Sequence, residues 1–548
     1  MSVPLSTSVT LDEAFRMLAE AKLDQEVMVC GSARFTNRQL HSGIEILSGS
    51  LARLGIQRGD RVAALLPPGP QFVYLFFAAA RLGAVIVPLN PDLLDRALGD
   101  ILADAEPVAL VTARPVDEGI VRQTSSIRHV IPVSEGDSET LLSLMATGGE
   151  GTAASFAPSE KPSPDDLFAL LYTSGTTGRP KATMHTHRSL IAPVVATVKV
   201  RELWLRPSSL RTIADMAKAL SRYRARLLRA VGKPQSIMST TGWHTITGLH
   251  VMLQGLLMGD RLIAMARFHP AEALKIVEKE HVTVLVAVPT AYMAMLALPD
   301  FARNDTSSLI VCAAGGSACP PPLAREIQKR FGCALYNGFG MTEAAGGISV
   351  SSLSDSTDLQ AETVGRIMPG IDMRIVDETR RDLPRGSVGE LAIRGEGVMM
   401  GYYKAPEMTA TVKDDEGWFY TGDLASIDEK GFLRIAGRSK DVIIRGGQNI
   451  YPAEIENFLG GHPSIAEVAV TGVPAPIGGE SVWAFIRVKK DAEITVTDVL
   501  DFCRGKLETY KIPSQVRFLP ELPRSELGKV QKFMLQEAAR QELEEGAQ

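Results

Sequence analysis

The 548-residue sequence predicts an α/β protein: a large N-terminal domain of parallel-type βαβ sheets with a β-rich subdomain, followed by a small α+β C-terminal domain. Three observations carry this expectation. Short β-branched runs alternate with helical stretches through the first part of the chain, the pattern of strands joined by crossover helices. From 364 to 403 the pattern changes to short strands separated by Gly, Asp and Pro, which reads as the β-rich subdomain. At Gly437-Arg438-Ser439-Lys440-Asp441 a charged, glycine-led joint separates a strand pattern ending at Ile435-Ala436 from another beginning at Val442-Ile443-Ile444. The chain thereby divides into residues 1–437, a joint at 438–441 and residues 442–548, the last close to a common domain size.

Taken in order, Arg61-Val62-Ala63-Ala64-Leu65-Leu66, Ala84-Val85-Ile86-Val87, Ala109-Leu110-Val111 and Ser308-Leu309-Ile310-Val311-Cys312 read as strands of parallel sheets. Two longer apolar runs need a membrane test. Residues 72–89 are broken by Arg81, and 283–298 carry Pro289, so neither reaches the roughly 20 uninterrupted residues of a spanning helix. The first reads as helix then strand, the second as a strand at 282–288 followed by a helix. Residues 151–165, rich in Ser, Pro and Ala, read as an exposed connection. Near the C-terminus, strands are expected at 466–473 and 481–488 and a helix at 496–507. In 200–233, Leu210, Ile213, Ala217, Leu220, Leu227, Leu228 and Val231 recur at helical intervals. Arg211, Lys218, Arg222, Arg224, Arg226 and Arg229 decorate the rest, giving a basic amphipathic helix that reads as a solvated face or a surface for an anionic partner. No internal repeat is visible.

Composition excludes several classes. With 45% hydrophobic and 22% charged residues and a net charge of −5, nothing in the overall balance favours nucleic acid or an anionic membrane. Cysteines 30, 312, 319, 333 and 503 are odd in number and lack C-x-x-C spacing, so neither a disulfide framework nor a zinc site is expected, and a reducing cytoplasm fits. The N-terminal residues lack the basic-then-apolar run of a signal peptide.

Chemistry is concentrated in Tyr172-Thr173-Ser174-Gly175-Thr176-Thr177-Gly178-Arg179-Pro180-Lys181. Its glycines reach backbone angles closed to other residues, so consecutive N–H groups can turn toward one anion, with hydroxyls as further donors and Lys181 as a point charge. This is a polyphosphate-binding pattern and points to ATP. A Walker P-loop needs four residues between its glycines and a Lys-Ser/Thr pair directly after the second; here two residues intervene and Arg-Pro follows.

Further strings follow in order: Gly59-Asp60-Arg61-Val62, Tyr336-Asn337-Gly338-Phe339-Gly340-Met341-Thr342-Glu343, Tyr420-Thr421-Gly422-Asp423, the joint at 437–441, and Pro523-Arg524-Ser525-Glu526-Leu527-Gly528-Lys529. Together with the phosphate loop they cover nearly the whole chain and resemble the adenylate-forming (ANL) superfamily. That superfamily holds the acyl-CoA synthetases (the AMP-dependent synthetase and ligase family), aryl-CoA ligases, luciferases and peptide-synthetase adenylation domains. Leu527 departs mildly from the small polar residue more usual there.

The resemblance implies two half-reactions. A carboxylate is a poor acyl donor because oxide is a poor leaving group, so the acid is first joined to AMP, and the acyl group then passes to a thiol. Two anions must be brought together, for which lysine and magnesium are suited. By resemblance, Lys529 bridges the carboxylate and α-phosphate, Thr342 donates to that phosphate, and Glu343 holds Mg²⁺. Thr173, Ser174, Gly175, Thr176, Thr177, Gly178 and Lys181 hold the phosphates of ATP. Gly315, Gly316 and Ser317 bed the adenine, Tyr336 stacks on it, and Asn337 reads its edge. Asp423 accepts from the ribose hydroxyls, Arg438 contacts ribose or phosphate, and Asn449 contacts AMP. His244 and Gly338 border the acyl group, Gly446 and Gly447 the pantetheine of CoA, and Lys440 is the hinge on which the small, mobile C-terminal domain pivots. Simpler readings stay open: a turn at Gly422-Asp423 and at Gly446-Gly447, and packing alone for Trp243-His244.

No acidic residue occurs from 240 to 249, so a substrate α-ammonium would lack a counter-charge and amino acids are disfavoured. The expectation is an ATP-dependent acyl-CoA ligase for a medium-chain fatty, alicyclic or aromatic acid. Its cofactors and partners would be ATP, Mg²⁺, CoA and the small-molecule acid, without nucleic acid. An adenylating enzyme that loads a carrier protein and a luciferase-like oxygenase are the alternatives. The basic segment at 200–233 would offer at most a weak contact to a membrane surface or the CoA phosphates.

Overall fold

The computed structural model describes residues 5–133, 160–173, 181–205, 210–230, 233–445, 448–475, 479–524 and 529–546. The elements that carry the site are, in chain order, β1 (Leu167–Thr173), β2 (Lys181–Thr186), α1 (His187–Leu205), α2 (Leu210–Ala230), β3 (Ser236–Ser239) and α3 (Ile246–Leu257). After them come β4 (Val284–Ala287), β5 (Val311–Ala314), β6 (Ala334–Met341), β7 (Gly346–Val350), β8 (Gly401–Tyr402), β9 (Phe419–Ile427) and β10 (Leu433–Arg438).

Two large sheets make up the N-terminal part. One has seven strands, with β8, β2 and β1 added to the parallel set Val85–Pro88, Arg61–Leu65, Ala109–Thr112 and His129–Pro132. The other has nine; its centre, from Glu26–Cys30 through Arg261–Ala264, β3, β4 and β5 to β6, is parallel, and the edges are antiparallel. Strands with apolar side chains on both faces require helices above and below, and the connections supply them. The helix Pro70–Leu82 shows how: Pro opens it, Gly83 ends it in the left-handed region at φ 71, and nearly every residue between is buried. The apolar run at 72–89 is thus helix then strand. The run at 283–298 resolves into β4 and the helix Pro289–Leu296.

Residues 371–438 form a four-stranded antiparallel sheet ending in β9 and β10, the β-rich subdomain. The fourth sheet draws only on residues 443–518 and encloses its own core of Ile443, Ile455, Val470, Val482 and Val499. Among the described residues no helix is long and apolar enough to cross a membrane.

Three elements differ from expectation. The strand expected at 308–312 begins only at Val311, because Leu309 N–H closes a turn onto Thr306 and Ser308 Oγ is spent on Val282 O. The helix Val496–Cys503 stops short of 507, since Arg504 is extended and Gly505 turns to φ 71. The basic segment is re-aimed: α2 kinks at Tyr223, and its packed face runs through Ala219 and Tyr223, leaving Ile213 and Leu228 exposed at 51% and 58%. Arg222 and Arg226 point inward. Arg222 donates to Asp355 O, and Arg226 donates to Thr306 O, Leu309 O and Phe331 O, so two of the six basic side chains satisfy backbone carbonyls.

Gly365 joins the four-stranded sheet to β7. It sits at φ 76, its carbonyl accepts from Leu433 N–H, and a Cβ there would lie 2.0 Å from the Val350 carbonyl carbon. Gly365→Ala is expected to cost about 3 kcal/mol or more through steric overlap and left-handed strain. A urea midpoint within experimental error of the parent would contradict this.

Candidate functional site

The expected phosphate loop falls between β1 and β2, whose register sets Thr173 opposite Lys181. Both residues line a cavity of about 2730 Å³ between the sheets and the C-terminal region. Ser174, Gly175, Thr176, Thr177 and Gly178 lie outside the described residues, as do Gly446 and Gly447. The hairpin is anchored from below by Tyr172 OH donating to Asp104 at 2.6 Å.

The C-terminal ends of the parallel strands supply the floor, as expected for an α/β sheet. β5 leads into Gly315, Gly316 and Ser317, and β6 carries Tyr336, Asn337 and Gly338; all six line the cavity. Asn337 is oriented by Nδ2 donating to Thr363 O at 3.0 Å. Backbone crowding dictates the glycines: a Cβ at Gly338 would meet Ser349 O at 3.0 Å, and one at Gly340 would meet Gly346 O at 2.3 Å. β6 then ends in a tight turn, Thr342–Ala344, with Ala345 at φ 55.

That turn presents Thr342 and Glu343. Glu343 is gripped twice by one segment: its carbonyl accepts from Met399 N–H at 2.8 Å, and its carboxylate accepts from Tyr402 OH at 3.2 Å. Tyr402 lies on β8, which pairs with β2 directly after the phosphate loop. The residues were expected to act together; the tie between them through Tyr402 was not. Its only sequence signal is a Gly-Tyr pair after an apolar run.

Asp423 on β9 and Arg438 on β10 are cross-strand partners, with Arg438 Nε 3.3 Å from the carboxylate. Burial raises the Asp423 pKa, and Glu343 adds to the rise, while Arg438 and Lys529 oppose it. Lys529 reaches the same place from the far end of the chain. Protein encloses it, which pushes its ammonium below the ordinary lysine value, with Arg438 acting in the same direction and Asp423 and Glu343 against. Its side chain nevertheless remains accessible from the cleft, so its charge is offered to the cavity. Lys440 is exposed and also lines the cavity; partial burial lowers its pKa, and Arg438 and Lys181 contribute to that while Asp441 and Asp423 oppose it. The joint residue therefore stands within the electrostatic field of the site. Asn449, by contrast, sits exposed on Gln448–Ile450 and is not among the residues lining the cavity.

On the opposite side, Trp243 packs edge-on against Phe72 and turns His244 into the cavity, with Gly242 leaving room for the imidazole. One turn into α3, sequence reading missed His250 and Gln254. Gln254 Nε2 lies 2.7 Å from His250 Nε2 and 2.9 Å from Thr197 Oγ1. An amide nitrogen only donates, so His250 accepts at Nε2 and carries its proton on Nδ1. Their i, i+4 spacing was the available signal. The whole constellation can place a polyanion against four cations and two carboxylates, beside a pocket for a second substrate.

Comparison with known proteins shows the family to which the chain belongs. A family model described as AMP-binding enzyme matches residues 15–403, and one described as AMP-binding enzyme C-terminal domain matches residues 454–529. A feruloyl-CoA synthase of Amycolatopsis sp is 34% identical over 506 residues, covering 92% of this chain and 93% of the relative. A medium-chain fatty-acid–CoA ligase of Escherichia coli (strain K12) is 30% identical over 538 residues, covering 96% and 90%. The crystal structure of ATP-bound MatB from Rhodopseudomonas palustris superposes with a TM-score of 0.81 at 29% identity, covering 97% of this chain and 99% of that one.

Burial holds His185, His187, His244 and His250 neutral, each with its pKa pushed down to about 4 from an ordinary 6.5. The unfolded chain binds more protons between those values, so stability is full above pH 6.5 and falls as pH drops toward 4. Chemical denaturation across this interval is expected to show a loss of several kcal/mol. A flat profile would mean that these imidazoles titrate normally.

Proposed function

Because the chain belongs to the AMP-binding enzyme family and is an AMP-forming acyl-CoA synthetase, we propose that it activates a medium-chain fatty, alicyclic or aromatic acid as acyl-AMP and passes the acyl group to CoA. The observation that carries this reading is the meeting of Lys529 with Asp423, Glu343 and Arg438 at the edge of the cavity that Thr173 and Lys181 also line.

In the first half-reaction a carboxylate oxygen of the acid attacks the α-phosphorus of ATP, the bond from that phosphorus to the bridging oxygen breaks, and pyrophosphate leaves. Lys529 lies between the two anions and lowers their repulsion. Lys181 and residues 173–178 hold the phosphates, and Thr342 donates to the α-phosphate. Asp423, braced by Arg438, accepts from the ribose hydroxyls as a charge-assisted partner. Tyr336 stacks on adenine over Gly315, Gly316 and Ser317, and Asn337, oriented by Thr363, reads the base edge.

Among the described residues no group of three or more His, Cys, Asp or Glu is placed to hold a metal. A site with one or two carboxylates that leaves the remaining positions to phosphate and water suits Mg²⁺, and Glu343 would hold it. The ion would neutralise charge developing on the phosphates. In the second half-reaction the domain of residues 442–548 pivots at 438–441 about Lys440, withdrawing Lys529 and bringing Gly446 and Gly447 to the pantetheine. The CoA thiol loses its proton and attacks the acyl carbon, and AMP leaves. Residues 1–437 remain the fixed body, with His244 and Gly338 bordering the acyl group.

Acid-dependent pyrophosphate release, measured over fatty, alicyclic, aryl and amino acids with and without CoA, tests the reading. Lys529→Ala is expected to lower release by about 10²–10³-fold while changing thioester formation from pre-formed acyl-AMP far less. Because the Lys529 ammonium must be charged, the basic limb of the release profile should lie below the pH at which an ordinary lysine titrates. Adenylate without CoA dependence would move the acceptor to a carrier protein or to oxygen, and no release with any acid would refute the ligase.

A further inference from the structure

The basic helix α2 found no role in the chemistry above, yet its inner face lines the same cavity. Met216, Leu220 and Leu227 recur at helical spacing on that face. Beneath them the nine-stranded sheet is not sealed. On β4, Leu285 and Ala287 are fully packed on one side, while Val284 and Val286 on the other are only half-buried and line the cavity. Across from α2, α3 repeats the pattern. His250, Gln254 and, just past its end, Met258 are half-buried at intervals of four, while the residues between them from Val251 to Leu257 are otherwise buried. The cavity therefore continues from His244 down the length of α3, roughly 18 Å for its 12 residues.

The charged pair at the far end of this extension is mutually satisfied. Midway, Gln254 Nε2 donates to His250 and Thr197, while His250 Nδ1 has no partner among the described residues. At the far end Arg201 places Nη1 2.9 and 2.8 Å from the two carboxylate oxygens of Asp260, which is 2% exposed and also accepts from Gln235 N–H. An apolar tail would strip no unpaired charge of water. A single ring held at His244 would leave most of the length empty.

We infer that the cleft between α2 and α3 receives the unbranched aliphatic tail of the acid substrate, and that Met216, Leu220 and Leu227 set the chain length accepted. The inference rests on the ligase reading and narrows it to fatty acids. With purified full-length protein and saturated acids of about four to about sixteen carbons, kcat/KM for acid-dependent pyrophosphate release should rise about threefold per methylene until the cleft is full. Leu220→Trp and, independently, Leu227→Trp should lower the long-to-short ratio of kcat/KM about tenfold or more and move the optimum to shorter acids. Lys218→Ala, on the exposed side of α2, should leave that ratio unchanged, and circular dichroism establishes which variants fold. Should both tryptophan variants misfold, the parent chain-length profile decides. A flat profile, equal losses for all lengths, or a preference for aryl acids indifferent to α2 would overturn the inference while leaving the ligase standing. Failure of every acid would instead refute the ligase itself.

Discussion

The site depends on an ammonium held among two carboxylates and a guanidinium. Asp423, Glu343, Arg438 and Lys529 come from a β-ribbon, a tight turn and the distal end of the chain, and the buried Asp423 carboxylate needs the cations beside it. The joint at 438–441 sits immediately beside the cluster, and Lys440 shares its field with Lys181. A charge balance of this kind is conditional. A polyanionic substrate entering the cleft would change the sum and with it the field at Lys529.

The rest of the architecture serves to bring backbone close to backbone at one point. β6 and β7 approach so tightly that glycine is required at 338 and 340, and the turn they share aims Thr342 and Glu343 into the cavity. The four-stranded sheet is pinned to the same place through Gly365 and Leu433. Two sheets that differ in strand direction thereby contribute to a single surface: parallel strand ends supply the floor, and an antiparallel ribbon supplies Asp423 and Arg438.

Much of this was readable in the sequence because its signals are local. Glycines fixed by crowding, a lysine after a Pro-Arg string and β-branched runs broken by turns each declare themselves over a few residues; the large-sheet fold agrees with them, and Lys529, Glu343, Asp423 and Arg438 lie near one another. What escaped depends on distant packing. Tyr402 matters only because β8 lies beside β2, which no short window reveals. His250 and Gln254 read as two polar positions in an ordinary apolar helix until a cavity opens beside them. In α2 the apolar stripe was counted on a straight helix, whereas the helix kinks at Tyr223, and Arg222 and Arg226 donate to carbonyls of two loops and the end of another helix. Asn449 shows the converse: a residue placed near AMP by its motif stands on an exposed strand outside the cavity.

The grip of the 399–402 segment on Glu343 has a consequence for communication across the cleft. The same short segment hydrogen-bonds to β2, so the strand leaving the phosphate loop and the acidic turn are joined by a linkage only a few bonds long. A shift of β2 on anion binding would reach the carboxylate through Tyr402, and reorientation of the carboxylate would return to β2. Thermodynamic reciprocity then requires that whatever binds at one strengthens or weakens binding at the other by the same factor. Nucleotide and cation would be sensed as one ligand rather than two.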